Sequence, residues 1–333
     1  MTTRRPLVTL RPDAGPGCGR GHVARCAALA AALRARGART ATWLPKGEPP
    51  ERSTGTVLRS VASARAGGAG AREMLRRTSD AWVVDSYRLG ASDRSALQRH
   101  APLWVPLDRP AARARADGVF APYAHPRGTA RDVDAARRLF GPRFAVLPGD
   151  GPPERRSRDD GRVLVSFGAE DHLGLTVPVA TAIARDGVRV LAVLGGGVAD
   201  RGARLRELRR LAPLVETADG RHGLRRLFGR ADSAVLAPGQ SLWEALRGGL
   251  AVVIVETAPN QRAARRWARA NGVALDAGVA SAATAGRMVG LLRRLRRDPR
   301  GTRAMVRRAR RLLDGRGADR VARAILASIG GSA

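Results

Sequence analysis

Lysine is nearly absent from this chain: Lys46 is the single lysine among 60 basic residues, and the other 59 are arginines. Alanine, glycine and arginine dominate instead, the mark of a coding bias that replaces lysine. The net charge of +31 therefore reads as solvated helix faces, the densest run being Arg293–Arg311, rather than as selection for phosphate contacts. No DNA- or RNA-binding module is recognisable, so nucleic-acid binding is a remote alternative and no nucleic-acid partner is expected. Aromatic residues are also scarce, at 4% against 44% apolar, so the core is expected to be built from Ala, Leu and Val. Two cysteines, Cys18 and Cys26, make neither a disulfide framework nor a recognisable zinc spacing. No run of about 18 uncharged apolar residues occurs, which argues against a membrane span. The opening residues lack the apolar core of a secretion signal, and the expected location is cytoplasmic.

What is present is an alternation. A length of 333 residues suits two domains. In the first half, strands are predicted at Leu7–Leu10, Thr40–Leu44, Trp82–Asp85 and Leu103–Leu107, and helices at His22–Arg36, Ser92–Arg99 and Arg131–Leu139. In the second half, strands are predicted at Arg162–Phe167, Val188–Leu194, Ser233–Leu236, Ala251–Val255 and Val273–Leu275, with helices between them. Continuous apolar runs alternating with helices imply parallel sheets covered on both faces, an α/β class. The segment Gly149–Gly161 has no apolar side chain beyond its prolines and reads as a linker after a strand-like Phe144–Leu147. The expected division is residues 1–148, linker 149–161, a second domain over 162–316, and a C-terminal helix within 317–333 able to cross back to the first domain. Residues 46–70, polar and glycine-rich, receive no assignment.

The most informative segment is 236–261. A strand ends at Leu236, Pro238-Gly239 turns, and a helix opens at Gln240-Ser241. A helix N-terminus after a strand offers backbone N–H groups and a positive dipole end, which suit a phosphate. Glu244, one turn further, is in reach of a ribose hydroxyl. Asn260 and Gln261 follow the next strand, where amides fix sugar hydroxyls without adding charge; helix capping is the plainer role for Asn260. Gly168, in the loop Ser166-Phe-Gly168-Ala-Glu170-Asp171 after the first strand of the second domain, allows close backbone approach.

The first half carries the reactive candidates. Gly19 and Gly21 belong to a glycine-rich loop that precedes His22, and Val23, Cys26, Leu29, Ala30 and Leu33 share one helix face. His22 would stand at a helix N-terminus on the carboxyl edge of the sheet, where ligands bind in open parallel sheets. The nearby dipole disfavours imidazolium and leaves a neutral base; a capping histidine without chemistry is the plainer alternative. Asp85 ends a buried strand and either orients His22, binds a sugar hydroxyl or caps the next turn. Asp108 ends the Leu103–Leu107 strand with the same alternatives. The loop is not a Walker motif, and no acidic residue ends the second strand, so it is not a clean dinucleotide fingerprint.

The string Gly19-Arg-Gly21-His22-Val-Ala-Arg25-Cys26-Ala-Ala-Leu29-Ala resembles the Gly-x-Gly-His-x-x-Arg-Cys-x-x-Leu-Ala signature of the PseG/SpsG family of nucleotide-sugar enzymes. Val84-Asp85-Ser86-Tyr87, Leu139–Leu147, Ser166-Phe-Gly168 with Asp171, Ser241-Leu-Trp243-Glu244 and Asn260-Gln261 are similar to further motifs of that family, in its order. Departures are Pro238-Gly239-Gln240-Ser241 in place of Gly-Gly-Ser-Thr, and Ala169 in place of a glycine. The resemblance implies a GT-B fold akin to MurG, two Rossmann-like parallel-sheet domains facing a central cleft. It implies nucleotide binding in the second domain, through Gly168, Gly239, Gln240, Ser241 and Glu244, and catalysis by His22 with Asp85. Gly19, Gly21, Arg25, Tyr87, Asp108, Asn260 and Gln261 are assigned to the sugar and acceptor. The expected reaction is hydrolysis of the anomeric C–O bond of a nucleotide sugar, UDP-sugar foremost, with His22 as general base. The alternative is a GT-B glycosyltransferase using a small-molecule alcohol or amine acceptor. No cofactor and no metal are expected, since a helix dipole can serve the diphosphate.

Overall fold

The computed structural model describes residues 4–15, 18, 20–45, 56–60, 74–107, 116–123, 135–148, 161–220 and 223–330. The chain divides into two compact units, Met1–Asp150 with Gly315–Ala333, and Gly151–Asp314.

Unit 1 is a seven-stranded sheet in the order β3-β2-β1-β4-β5-β6-β7. Its strands are β1 (Leu7–Pro12), β2 (Arg39–Pro45), β3 (Thr56–Ser60), β4 (Ala81–Asp85), β5 (Leu103–Pro106), β6 (Ala116–Ala121) and β7 (Ala135–Phe140), and every pairing is parallel. Alternate side chains of one strand leave the sheet on opposite faces. Val83 accordingly joins a core with Leu29 and Leu33 of α1 (Gly21–Ala35) and Val321 and Ile325 of the last helix, Gly317–Ile329. Trp82 and Val84 join a second core with Leu97 of α2 (Ala91–Gln98). Helix α1 forms because its apolar residues recur three and four apart, and all of Val23, Cys26, Leu29, Ala30 and Leu33 are buried. A Schellman arrangement ends it, with Gly37 N–H on Arg34 O and Ala38 N–H on Leu33 O.

Unit 2 is a six-stranded parallel sheet in the order β10-β9-β8-β11-β12-β13. The elements run β8 (Val163–Ser166), α3 (Thr176–Arg185), β9 (Val190–Leu194), α4 (Arg201–Arg209), β10 (Val215–Asp219), β11 (Ser233–Leu236), α5 (Gln240–Gly248), β12 (Ala251–Glu256), α6 (Arg262–Ala270), β13 (Leu275–Val279), α7 (Thr284–Arg297) and α8 (Pro299–Leu312). The last helix, α9, is the Gly317–Ile329 segment already placed in unit 1. The six residues of β12 are all buried, as a central strand covered on both faces requires.

Three sequence expectations differ; the strand expected at Val273–Leu275 overlaps β13, Leu275–Val279, at Leu275 only. The helix expected over Arg131–Leu139 is in part the strand β7; residues 131–134 lie outside the described ones. Its exposed and half-buried residues alternate, and pairing with β6 at the sheet edge overrides an Arg- and Ala-rich composition that favours helix. The strand expected at Phe144–Leu147 is the end of a 3-10 turn, Pro142–Phe144, followed by irregular buried chain. Strands β6 and β10 had no sequence expectation; β6 contains Asp117 and Gly118, which interrupt its apolar run. Within 46–70 the structure describes only β3, and of the 149–161 linker only Gly161. No helix among the described residues is long and apolar enough to cross a membrane.

Candidate functional site

In each unit the strand order reverses beside the first strand: between β1 and β4 in unit 1, and between β8 and β11 in unit 2. Loops leave the carboxyl ends of such neighbouring strands in opposite directions and open a crevice for a ligand.

At the unit 1 reversal, Pro12 pairs with Asp85. Asp85 is 2% exposed and His22 5%. His22 Nδ1 lies 2.6 Å from Asp85 Oδ1. An ionised carboxylate only accepts, so Nδ1 carries a proton and donates it; a neutral imidazole held this way has its lone pair on Nε2. Arg25, one turn along α1, forks onto the same carboxylate, Nε to Oδ2 and Nη2 to Oδ1, each at 2.7 Å. Burial alone would raise the Asp85 carboxyl; Arg25 and His22 outweigh it and hold Asp85 well below the usual carboxylate range. The Tyr87 ring meets His22 edge-on, centroids 4.8 Å apart. Burial pushes the Cys26 thiol well up, so it stays protonated and is no nucleophile at neutral pH.

Asp13 escaped the sequence reading, and Ser86 was named there only as part of the Val84–Tyr87 motif. Asp13, 1% exposed, accepts from Ser86 Oγ at 2.6 Å and from Tyr87 N–H at 2.7 Å, while its own N–H donates to Asp85 O. It thereby fixes the loop that carries Tyr87. The available signal was position: Asp13 follows β1 as Asp85 ends β4. Gly21 opens α1; Gly19 and Asp108 lie outside the described residues.

At the unit 2 reversal, Ser166 pairs with Leu236, so the loops after β8 and β11 start side by side. Gly168 turns the first loop with φ 95°, a conformation that disfavours any side chain. Asp171, at φ 41°, accepts from the N–H groups of Leu175 at 2.8 Å and Thr176 at 2.9 Å, so the start of α3 already has its anion. The start of α5 differs: Gly239 brings no capping side chain, and the first turn holds no acidic residue. Of these two N-termini, α5 is the one whose dipole and donors suit an added anion. Gln240 and Ser241 form its first turn; Glu244, half-buried, shares a helix face with Gln240. Trp243 packs on Trp267 of α6, centroids 4.8 Å apart, which steadies the helix.

The loop after β12 closes this edge. Gln261 Oε1 accepts from Thr257 N–H at 2.8 Å and Thr257 Oγ1 at 3.1 Å, while Asn260 sits beside it in the Pro259–Gln261 turn. His172 Nε2 donates to Thr257 O at 2.9 Å, tying the β8 loop to the end of β12 across β11. Among the described residues, no group of three or more His, Cys, Asp or Glu is placed to hold a metal.

No protein-family model matches the chain, and no curated protein matches it in sequence. Its structure is similar to several solved ones. MurG of Acinetobacter baumannii aligns over 97% of this chain and 100% of its own, with TM-score 0.64 at 13% identity. UGT89C1 of Arabidopsis thaliana, complexed with UDP-L-rhamnose, aligns over 97% and 100%, with TM-score 0.67 at 14% identity. The glycosyltransferase SsfS6 of Streptomyces sp. SF2575, complexed with thymidine diphosphate, aligns over 97% and 100%, with TM-score 0.64 at 14% identity. The chain has the GT-B fold of two Rossmann-like domains.

Proposed function

We propose, on the premise of that fold, that the chain is an enzyme that transfers the sugar of a nucleoside diphosphate sugar to an alcohol or amine acceptor. The observation that carries the reading is the buried Asp85–His22 pair. His22 Nε2 takes the acceptor proton as the acceptor heteroatom attacks the anomeric carbon. The C–O bond to the diphosphate breaks, and its electron pair leaves with the phosphate oxygen. N–H groups at the start of α5 and the backbone at Gly168 meet that charge, and Glu244 takes the ribose. The Arabidopsis and Streptomyces structures hold UDP-L-rhamnose and thymidine diphosphate, which supports UDP and TDP sugars as the donors to try first.

Hydrolysis is the second reading. The Gly19–Ala30 string, with Val84–Tyr87 and the four later motifs in order, resembles the PseG/SpsG family, in whose hydrolase water is the acceptor. The same base serves both. Incubation with UDP-, TDP-, CMP- and GDP-sugars separates them: nucleotide released only with an acceptor present supports transfer, and sugar released into water without one supports hydrolysis. No turnover with any donor would sink both. With helix N–H groups meeting the diphosphate, activity is expected to persist in excess chelator.

A further inference from the structure

We propose that Arg25 is a positioning residue for His22, acting through Asp85, and does not contact the sugar. The guanidinium grips both Asp85 oxygens in a fork, the geometry arginine alone offers a carboxylate. Asp85 is buried, at 3% side-chain exposure, and Arg25 is half-buried, at 15%. The fork fixes the carboxylate plane and so the direction in which Oδ1 accepts from His22. Arg25 Nη2 also lies 3.4 Å from His22 Nδ1. Both nitrogens are donors toward Asp85, so this is a meeting of positive poles that disfavours an imidazolium. Arg25 thus offsets the pull of the Asp85 carboxylate toward an imidazolium, an arrangement that favours the neutral imidazole. Among the described residues, Tyr87 after β4 meets the His22 ring, Cys26 of α1 feels Asp85, Arg25, Arg11 of β1 and Asp13 after it, and Arg94 of α2 feels Asp13. All but Arg25 stay constant in the variants below.

The test reads the imidazole directly by long-range ¹H–¹⁵N spectra of the full chain, which has five histidines, with the His22 signal assigned by its loss in His22→Gln. In the wild type near neutral pH, His22 is expected neutral with its proton on Nδ1. A proton on Nε2 alone, or an imidazolium, overturns the proposal without any variant. In Arg25→Gln, removal of the cation is expected to raise the His22 midpoint by about one pH unit. Activity needs the neutral base, so the acidic limb of kcat/KM moves to higher pH by the same amount while the donor KM holds. Arg25→Lys keeps the charge but not the fork, so its midpoint stays near wild type while kcat falls by about ten-fold or more. An unmoved midpoint in Arg25→Gln, or a raised KM with an unmoved limb, overturns the assignment; if that variant does not fold, the wild-type tautomer and Arg25→Lys decide. The kinetic arm rests on the reaction proposed above. A wild type that turns over no nucleotide sugar would sink that reading and leave the spectra to judge Arg25.

Discussion

Trp104 Nε1 donates to Ser328 Oγ at 3.1 Å, joining an interior strand of the unit 1 sheet to α9, the last helix of the chain. Val321 and Ile325 of the same helix are fully buried in the core beside α1. The helix enters that packing at Gly317, where an added Cβ would stand 2.1 Å from Ala145 O. Gly317→Ala should therefore destabilise unit 1 by about 1–3 kcal/mol, the usual range for overpacking. Calorimetry checks this against Gly330→Ala, whose Cβ meets nothing within 4 Å. Equal melting temperatures for the two variants would refute the close fit.

His22→Ala is expected to lower turnover by about 100-fold or more, the loss typical of a general base, and to leave nucleotide affinity unchanged. Steady-state kinetics with calorimetric titration of UDP and TDP separates the two effects. Wild-type turnover in this variant would remove His22 from the mechanism.

Asp85 links the site to acid stability. Its folded pKa lies below the unfolded value of about 3.9, so its contribution is present above that value and is lost as pH falls through the folded one. Asp85→Asn should thus be less stable than wild type at neutral pH, and the gap should close progressively below about pH 4. Urea melts across that range measure it. A gap independent of pH would mean that the ion pair is not what the variant removes.

Gly239→Asp tests the phosphate seat with opposite signs. The position is extended and its Cβ meets nothing within 4 Å, so the side chain fits. An aspartate there caps α5 and should stabilise unit 2 by a few tenths of a kcal/mol, roughly the Gly-to-Asp difference at this helix position. The same carboxylate competes with a diphosphate and should weaken its binding about ten-fold, that is by roughly 1.4 kcal/mol. Unchanged affinity for UDP and TDP would place the phosphates elsewhere.

Much of this was legible in the chain because parallel β-α units send every strand-to-helix loop to one edge. The alternation alone brings Asp85 to the edge that carries His22, and Gly168 to the edge that carries Gly239. What was not legible depends on partners distant in sequence. Ala135–Phe140 is helical by composition and a strand only because β6 lies beside it. Asp13 looks like an ordinary turn residue until Ser86 and Tyr87 close over it. Gln261 was assigned to a sugar from its amide, its place after a strand and the Asn-Gln motif; that its oxygen accepts from Thr257 was not legible.

The sequence by itself determined the α/β class, the two-sheet plan and the edges at which chemistry can occur, since hydrophobic period and glycine placement are local properties. Tertiary structure alone decided which groups touch. Only strand order sets Asp85 next to Pro12, and so within reach of His22 and Arg25. Only the structure shows that Asp171 already caps α3, whereas α5 starts without an acidic residue or a side-chain cap. Hydrogen bonds and charge act over a few ångströms, and no local pattern encodes which distant residues arrive within that range.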